Sequence, residues 1–100
     1  MIVSNMTSTN GNAVANQFLI SGLAAGTFHA GNTPLPSGDA FQSYKTLIAY
    51  RTYQGKLYLD RNAWDYSRTT SKYRNMFTGL TTKETEKRIA SGDIELIDLN

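Results

Sequence analysis

The sequence predicts an α+β domain: a small antiparallel or mixed sheet of about four strands with two helices packed on one face. Three observations carry this. Phe41–Asp60 reads as two strands meeting at a glycine turn. Asp65–Ser91 holds two successive helical patterns, each followed by glycine. Ile94–Leu99 is a final run that is apolar on both faces. With 100 residues and no internal repeat, the chain is long enough for one domain and too short for two.

The elements follow in order. Met1–Asn12 is rich in Ser, Thr and Asn and reads as a flexible N-terminal tail, so the folded domain is expected over 13–100. Ala13–Ser21 reads as a first strand, with Val14, Phe18 and Ile20 on one face and Asn16 interrupting it. Residues 22–38 hold Gly22, Gly26, Gly31 and Gly38 with Pro34 and Pro36, so a long loop is expected there, with a short strand around Thr27–Ala30. A loop of that length in a compact domain is either functional or mobile, and a mobile surface loop is the simpler reading.

Phe41–Thr52 and Lys56–Asp60 are expected to be strands joined at Tyr53-Gln54-Gly55, where Gly55 supplies the positive φ of a tight turn. Even spacing sets Tyr44, Ile48 and Tyr50 on one face of the first. Leu57 and Leu59 share a face of the second, opposite Tyr58.

The first helix is expected over Asp65–Gly79, with Asp65 as N-cap and Gly79 as stop. Tyr66, Thr70, Tyr73, Phe77 and Leu80 recur at helical spacing, and Arg68, Lys72 and Asn75 lie opposite. Thr81–Ser91 is a second helix, with a Thr81/Glu84 capping box, a Glu84–Arg88 pair one turn apart and Gly92 after its last turn. Ile94–Leu99, apolar on both faces, is expected to be paired inside the sheet.

Composition excludes several function classes. There is no cysteine, hence no disulfide framework and no thiolate metal site. The N-terminal stretch lacks the basic and apolar regions of a secretory signal. No apolar run approaches the roughly 20 residues that span a bilayer, so no membrane partner is expected. The single histidine, His29, has no second His or Cys to make a metal or acid–base site with it. No serine sits in a nucleophile-elbow pattern, and the glycines lack phosphate-loop spacing. Asp60 and Asp65 are a candidate carboxylate pair, but a strand-end turn and a helix cap are the simpler roles. No catalytic residue, metal or cofactor is expected.

The positive signal is Lys45–Arg74. It carries seven basic residues against Asp60 and Asp65, interleaved with Tyr44, Tyr50, Tyr53, Tyr58, Trp64, Tyr66 and Tyr73, while the last twenty residues are net acidic. Cations attract phosphates and aromatic faces stack on bases, which suits single-stranded nucleic acid. The same residue types dominate protein interface hot spots. A tyrosine-rich core with solvated cations around it is the third reading. The candidate contact residues are Arg51, Arg61, Trp64, Arg68, Lys72 and Arg74, with Arg68 and Lys72 on the outer helix face and Trp64 packing onto the first helical turn.

Lys56–Asp60, the run Trp64-Asp-Tyr-Ser-Arg-Thr-Thr continuing to Phe77, Glu84–Ile89 and Ser91–Asn100 together resemble a family of short proteins of tailed bacteriophages that carry a domain of unknown function. The resemblance spans Asn16–Asn100 without the glycine-rich loop. It brings no catalytic residues. It implies a viral protein in the cytoplasm of an infected bacterium, acting stoichiometrically on a host or phage protein, for example as an anti-CRISPR or anti-restriction inhibitor of host defence. A nucleic-acid-binding accessory and a minor virion or assembly protein are the alternatives.

Overall fold

The computed structural model describes Met1–Asn100. In chain order the elements are β1 (Ile2–Thr7), β2 (Ala13–Leu23), β3 (His29–Ala30), β4 (Thr33–Pro34), β5 (Gly38–Ser43), β6 (Thr46–Thr52), β7 (Leu57–Asp60), α1 (Arg68–Thr78), α2 (Thr82–Ser91) and β8 (Ile94–Ile97). The main sheet has six strands in the order β1-β2-β5-β6-β7-β8, and β3 and β4 form a separate ribbon. The first five strands of the main sheet run antiparallel to their neighbours. β8 is parallel to β7. A parallel neighbour needs a long crossover, which α1 and α2 provide.

The fold is α+β with two helices, but the sheet has six strands where about four are expected. Both extra strands have a physical origin. One is β1, inside the expected tail: Ile2–Asn5 pair with Ser21–Phe18. No β1 residue is fully buried, so it lacks the buried face that makes a strand visible as a pattern. The other arises because Phe41–Thr52 is two strands, turning at Tyr44-Lys45 between the paired Ser43 and Thr46. Tyr44 holds φ 56°, a position usually given to glycine or asparagine, so the usual turn signature is missing.

The expected face of Tyr44, Ile48 and Tyr50 is also broken up. Tyr44 is exposed in the turn, and the β5–β6 register shifts between Phe41 and Gln42. That bulge places both Ile48 and Ala49 in the helix-side core and Tyr50 on the opposite side. Leu57 and Leu59 do share the helix side, opposite Tyr58.

The sheet is covered on both faces. On one, Phe41, Ile48, Leu57, Leu59 and Ile94 pack with Tyr73 and Phe77 of α1. The Phe41 and Phe77 rings stack at 6.1 Å. Fully burying a side chain such as Phe41 contributes about 1.5–3 kcal/mol. On the other face the segment 24–37 lies over the sheet. Its Leu35 is only 3 % exposed and packs with Ala40, Tyr50, Ile97 and Leu99. Phe28 meets Tyr50 edge-on at 5.0 Å, and the Tyr50 hydroxyl donates to the Pro36 carbonyl at 2.7 Å. The glycine- and proline-rich stretch is therefore the second cover of the sheet. β8 is apolar on both sides for that reason, although it is an edge strand and not an interior one.

Gly38 permits the closest backbone approach: a Cβ there would lie 2.1 Å from the Arg51 carbonyl oxygen. The helix ends follow their sequence signals with one change. Ser67, not Asp65, caps α1, its hydroxyl accepting from the Thr70 N–H at 3.1 Å. The chain is still turning through Asp65, with the Ala63 and Trp64 N–H groups both donating to the Asp60 carbonyl. Gly79 and Gly92 close the two helices in left-handed conformations.

Candidate functional site

The candidate residues separate into two held inside the fold, two at its margin and two on an open helix face. Arg74 is fully buried. Its guanidinium donates to the Trp64 carbonyl, to Asn75 Oδ1 at 2.9 Å and to Thr82 Oγ1 at 3.0 Å, and lies 5.3 Å from the centroid of the Trp64 ring. It thereby ties the turn before α1 to the first turn of α2. Burial lowers its pKa, partly offset by Asp65 and Glu86. Arg51, half-buried on β6, donates to the Phe77 carbonyl in the last turn of α1 and sits 4.5 Å from the Phe77 ring centroid. These two arginines read as basic surface in the sequence, but their hydrogen bonds are spent on positioning the helices.

Trp64 is half-buried against the helix-side core, close to its expected packing role. Arg61 is exposed and pairs with Asp98 at 3.1 Å. Both line a cavity of about 420 Å³ with Thr27, Phe28, His29, Gly31 and Ile97. His29 and Asp98 line one cavity because segment 24–37 folds back over the sheet, a long-range arrangement with no local sequence signal. No three His, Asp or Glu residues gather to hold a metal ion.

Asp60 and Asp65 do not form a carboxylate pair. Asp60 is buried, and its oxygens accept from the Leu99 N–H at 2.9 Å and the Asn62 N–H at 3.1 Å. Asp65 is exposed in the preceding turn. A third polar group lies further along the sheet: the Tyr53 hydroxyl donates to Asp39 Oδ1 at 2.9 Å and accepts from the Gly22 N–H at 3.0 Å. The bond to Asp39 raises the Tyr53 pKa.

Of the six candidate residues, Arg68 and Lys72 are the exposed cations without an ion pair. Both are exposed on α1, one turn apart, and neither forms an ion pair, since Arg61–Asp98 is the only one in the molecule. Met76, one turn further on, is 43 % exposed, and Tyr66 just before the cap is 49 % exposed. Lys72 Nζ lies 5.4 Å from the Tyr73 ring centroid. Asn75, expected on this side, instead turns toward α2 and donates to Thr82 Oγ1 at 3.2 Å. The sequence marks Arg68 and Lys72 but not Tyr66, which it assigns to the core stripe, nor Met76. The face combines unpaired positive charge with an exposed thioether, and an exposed aromatic ring precedes it in the chain.

Comparison with known proteins places the chain. It belongs to a family of unknown function (DUF8033), whose match covers residues 1–93 and so includes β1 and segment 24–37. No curated protein and no solved structure matches the chain. No helix is long and apolar enough to cross a membrane.

Proposed function

We propose that this member of the family works by binding rather than by turnover, and that the outer face of α1 is its contact surface for a protein. The observation that carries the reading is the stripe of Arg68, Lys72 and Met76 at successive turns of α1, with exposed Tyr66 shortly before it in the chain and no ion pair for either cation. Tyrosine and arginine are the residues that dominate interface energetics, and methionine adapts to irregular partner surfaces. Arg51 and Arg74 are outside this surface because their guanidinium groups already hold α1 and α2.

The resemblance to short proteins of tailed bacteriophages supports a finer proposal. The chain is a phage accessory protein in the cytoplasm of the infected bacterium, and the partner is a host or phage protein, with a host-defence enzyme the leading class. Single-stranded nucleic acid is the competing ligand for the same face. The two cations of this helix face neutralise few phosphates, which favours protein.

The test is affinity capture of the tagged chain from infected host cells, with and without nuclease, beside the Arg68→Glu/Lys72→Glu variant. The expected result is one protein recovered in stoichiometric amount, retained after nuclease and lost with the variant. Recovery that disappears with nuclease makes nucleic acid the ligand. Recovery unchanged by the variant moves the contact surface away from α1.

A further inference from the structure

Strand β1 borders β2 on one side and nothing on the other. In an antiparallel ladder alternate residues turn their N–H and C=O groups away from the neighbour. The six residues of β1 therefore leave a row of open donors and acceptors along the rim. Proteins guard such rims with charge, proline, bulges or a covering element. Ile2–Thr7 has no charged residue and no proline, and neither does its neighbour Ala13–Leu23; the one register shift against β2 falls between Asn5 and Thr7 and leaves Ile2–Asn5 regular. Ile2 and Val3 are 70 % and 55 % exposed and point to opposite faces of the strand. The other rim is guarded: β8 carries exposed Glu95 and is flanked by exposed Asp93 and Asp98.

We propose that the chain forms a two-fold homodimer in which β1 pairs antiparallel with β1 of a second copy, joining the two six-stranded sheets into one. Pairing about a two-fold axis sets β1 residues against β1 residues, and a strand without charge meets itself without repulsion. Pairing of β1 with β8 of another copy would leave a further β1 free and grow an open filament. It would also set carboxylates beside exposed apolar side chains. A single short strand on each side covers less than the roughly 800 Å² per partner of a standard stable interface, so the dimer is reversible and concentration-dependent. The two-fold axis of an antiparallel pair stands perpendicular to the sheet, so both helix layers lie on the same side. The inference does not depend on what α1 binds; if α1 binds a partner, the dimer presents that face twice.

The test combines sedimentation equilibrium of the full chain over a wide concentration range with amide hydrogen exchange at both ends of that range. The expected mass rises from 11.1 kDa toward twice that value. The amides of β1 are expected to exchange about tenfold or more slowly at high concentration, while those of β8 are unchanged. In Val3→Lys/Ser4→Lys each face of the strand carries a charge, which lies near its copy in any register of so short a strand. This variant is expected to stay monomeric with the circular dichroism of the parent. If it does not fold, the exchange comparison on the parent chain decides alone. A monomer at every concentration overturns the proposal. So does growth beyond the dimer, or a dimer whose β1 amides exchange as fast as in the monomer.

Discussion

Arg74 holds Trp64 from two directions: its guanidinium donates to the Trp64 carbonyl and lies 5.3 Å from the centroid of the indole ring. The same group reaches Thr82 in the first turn of α2. One side chain therefore fixes where α1 begins and where α2 starts, and through α1 the orientation of the face that carries Arg68 and Lys72.

Replacing Arg74 is expected to destabilise the domain strongly. Arg74→Ala removes several charge-assisted hydrogen bonds and opens a cavity, a loss of about 3 kcal/mol or more. Arg74→Lys is expected to recover little, because an ammonium cannot span Trp64, Asn75 and Thr82 with one planar fork. Urea denaturation of the two variants checks this; a Lys variant as stable as the parent would contradict it.

Gly38 is expected to be irreplaceable for steric reasons. In Gly38→Ala the new Cβ meets the Arg51 carbonyl and the Thr52 Cα, both backbone atoms that cannot step aside. The expected cost is at least about 2 kcal/mol, roughly 8–16 °C in melting temperature. Thermal unfolding followed by circular dichroism measures it.

Tyr44 offers the opposite change. It is 54 % exposed and holds φ 56°, and its N–H donates at 2.6 Å to the carbonyl of Asn16, the other non-glycine residue with positive φ. Tyr44→Gly relieves that conformation, keeps the backbone bond and loses little packing. A gain of about 0.5–1 kcal/mol is expected from denaturant unfolding.

The α2 cap gives a pH signature. The Thr81 N–H donates to Glu84 Oε1 at 3.0 Å, and the Glu84 N–H donates to Thr81 Oγ1 at 3.1 Å. Glu84 spends its carboxylate there and does not close the expected ion pair with Arg88. The backbone bond from Thr81, then its side-chain bond, hold the Glu84 carboxyl below its ordinary value of 4.5. A lowered carboxyl pKa makes the folded state bind its proton later than the unfolded chain. The contribution is thus full above about pH 4.5 and is lost as pH falls through the lower folded value. Glu84→Gln keeps the box geometry and is expected to flatten this part of the stability–pH curve. Thr81→Ala is expected to cost about 1 kcal/mol across the range.

How much of this the sequence carries depends on how local each cause is. The Thr81/Glu84 box, the glycines closing both helices, the turn at Gly55 and the Tyr73/Phe77 stripe are set by residues a few positions apart, and they are legible. β1 is not, because neither of its faces is buried. The Tyr44-Lys45 turn is not, because it lacks the residues such turns favour. Segment 24–37 hides its role because its core contacts, Phe28 and Leu35, are scattered among glycines and prolines. At the candidate site the two outer cations, Arg68 and Lys72, follow from helical spacing. Buried Arg74 does not, since a lone arginine beside Tyr73 gives no sign that neutral carbonyl and hydroxyl oxygens will surround it.

Titrating the partner recovered by capture against the parent chain and against Arg68→Ala/Lys72→Ala measures whether the outer face of α1 binds a protein. Neither side chain forms an ion pair, and the one contact of Lys72 with the Tyr73 ring is at the surface, so the melting temperatures should agree within a few degrees. The affinity is expected to fall by about tenfold or more, which corresponds to about 1.4 kcal/mol or more. Equal affinity for the two proteins at equal stability would contradict it.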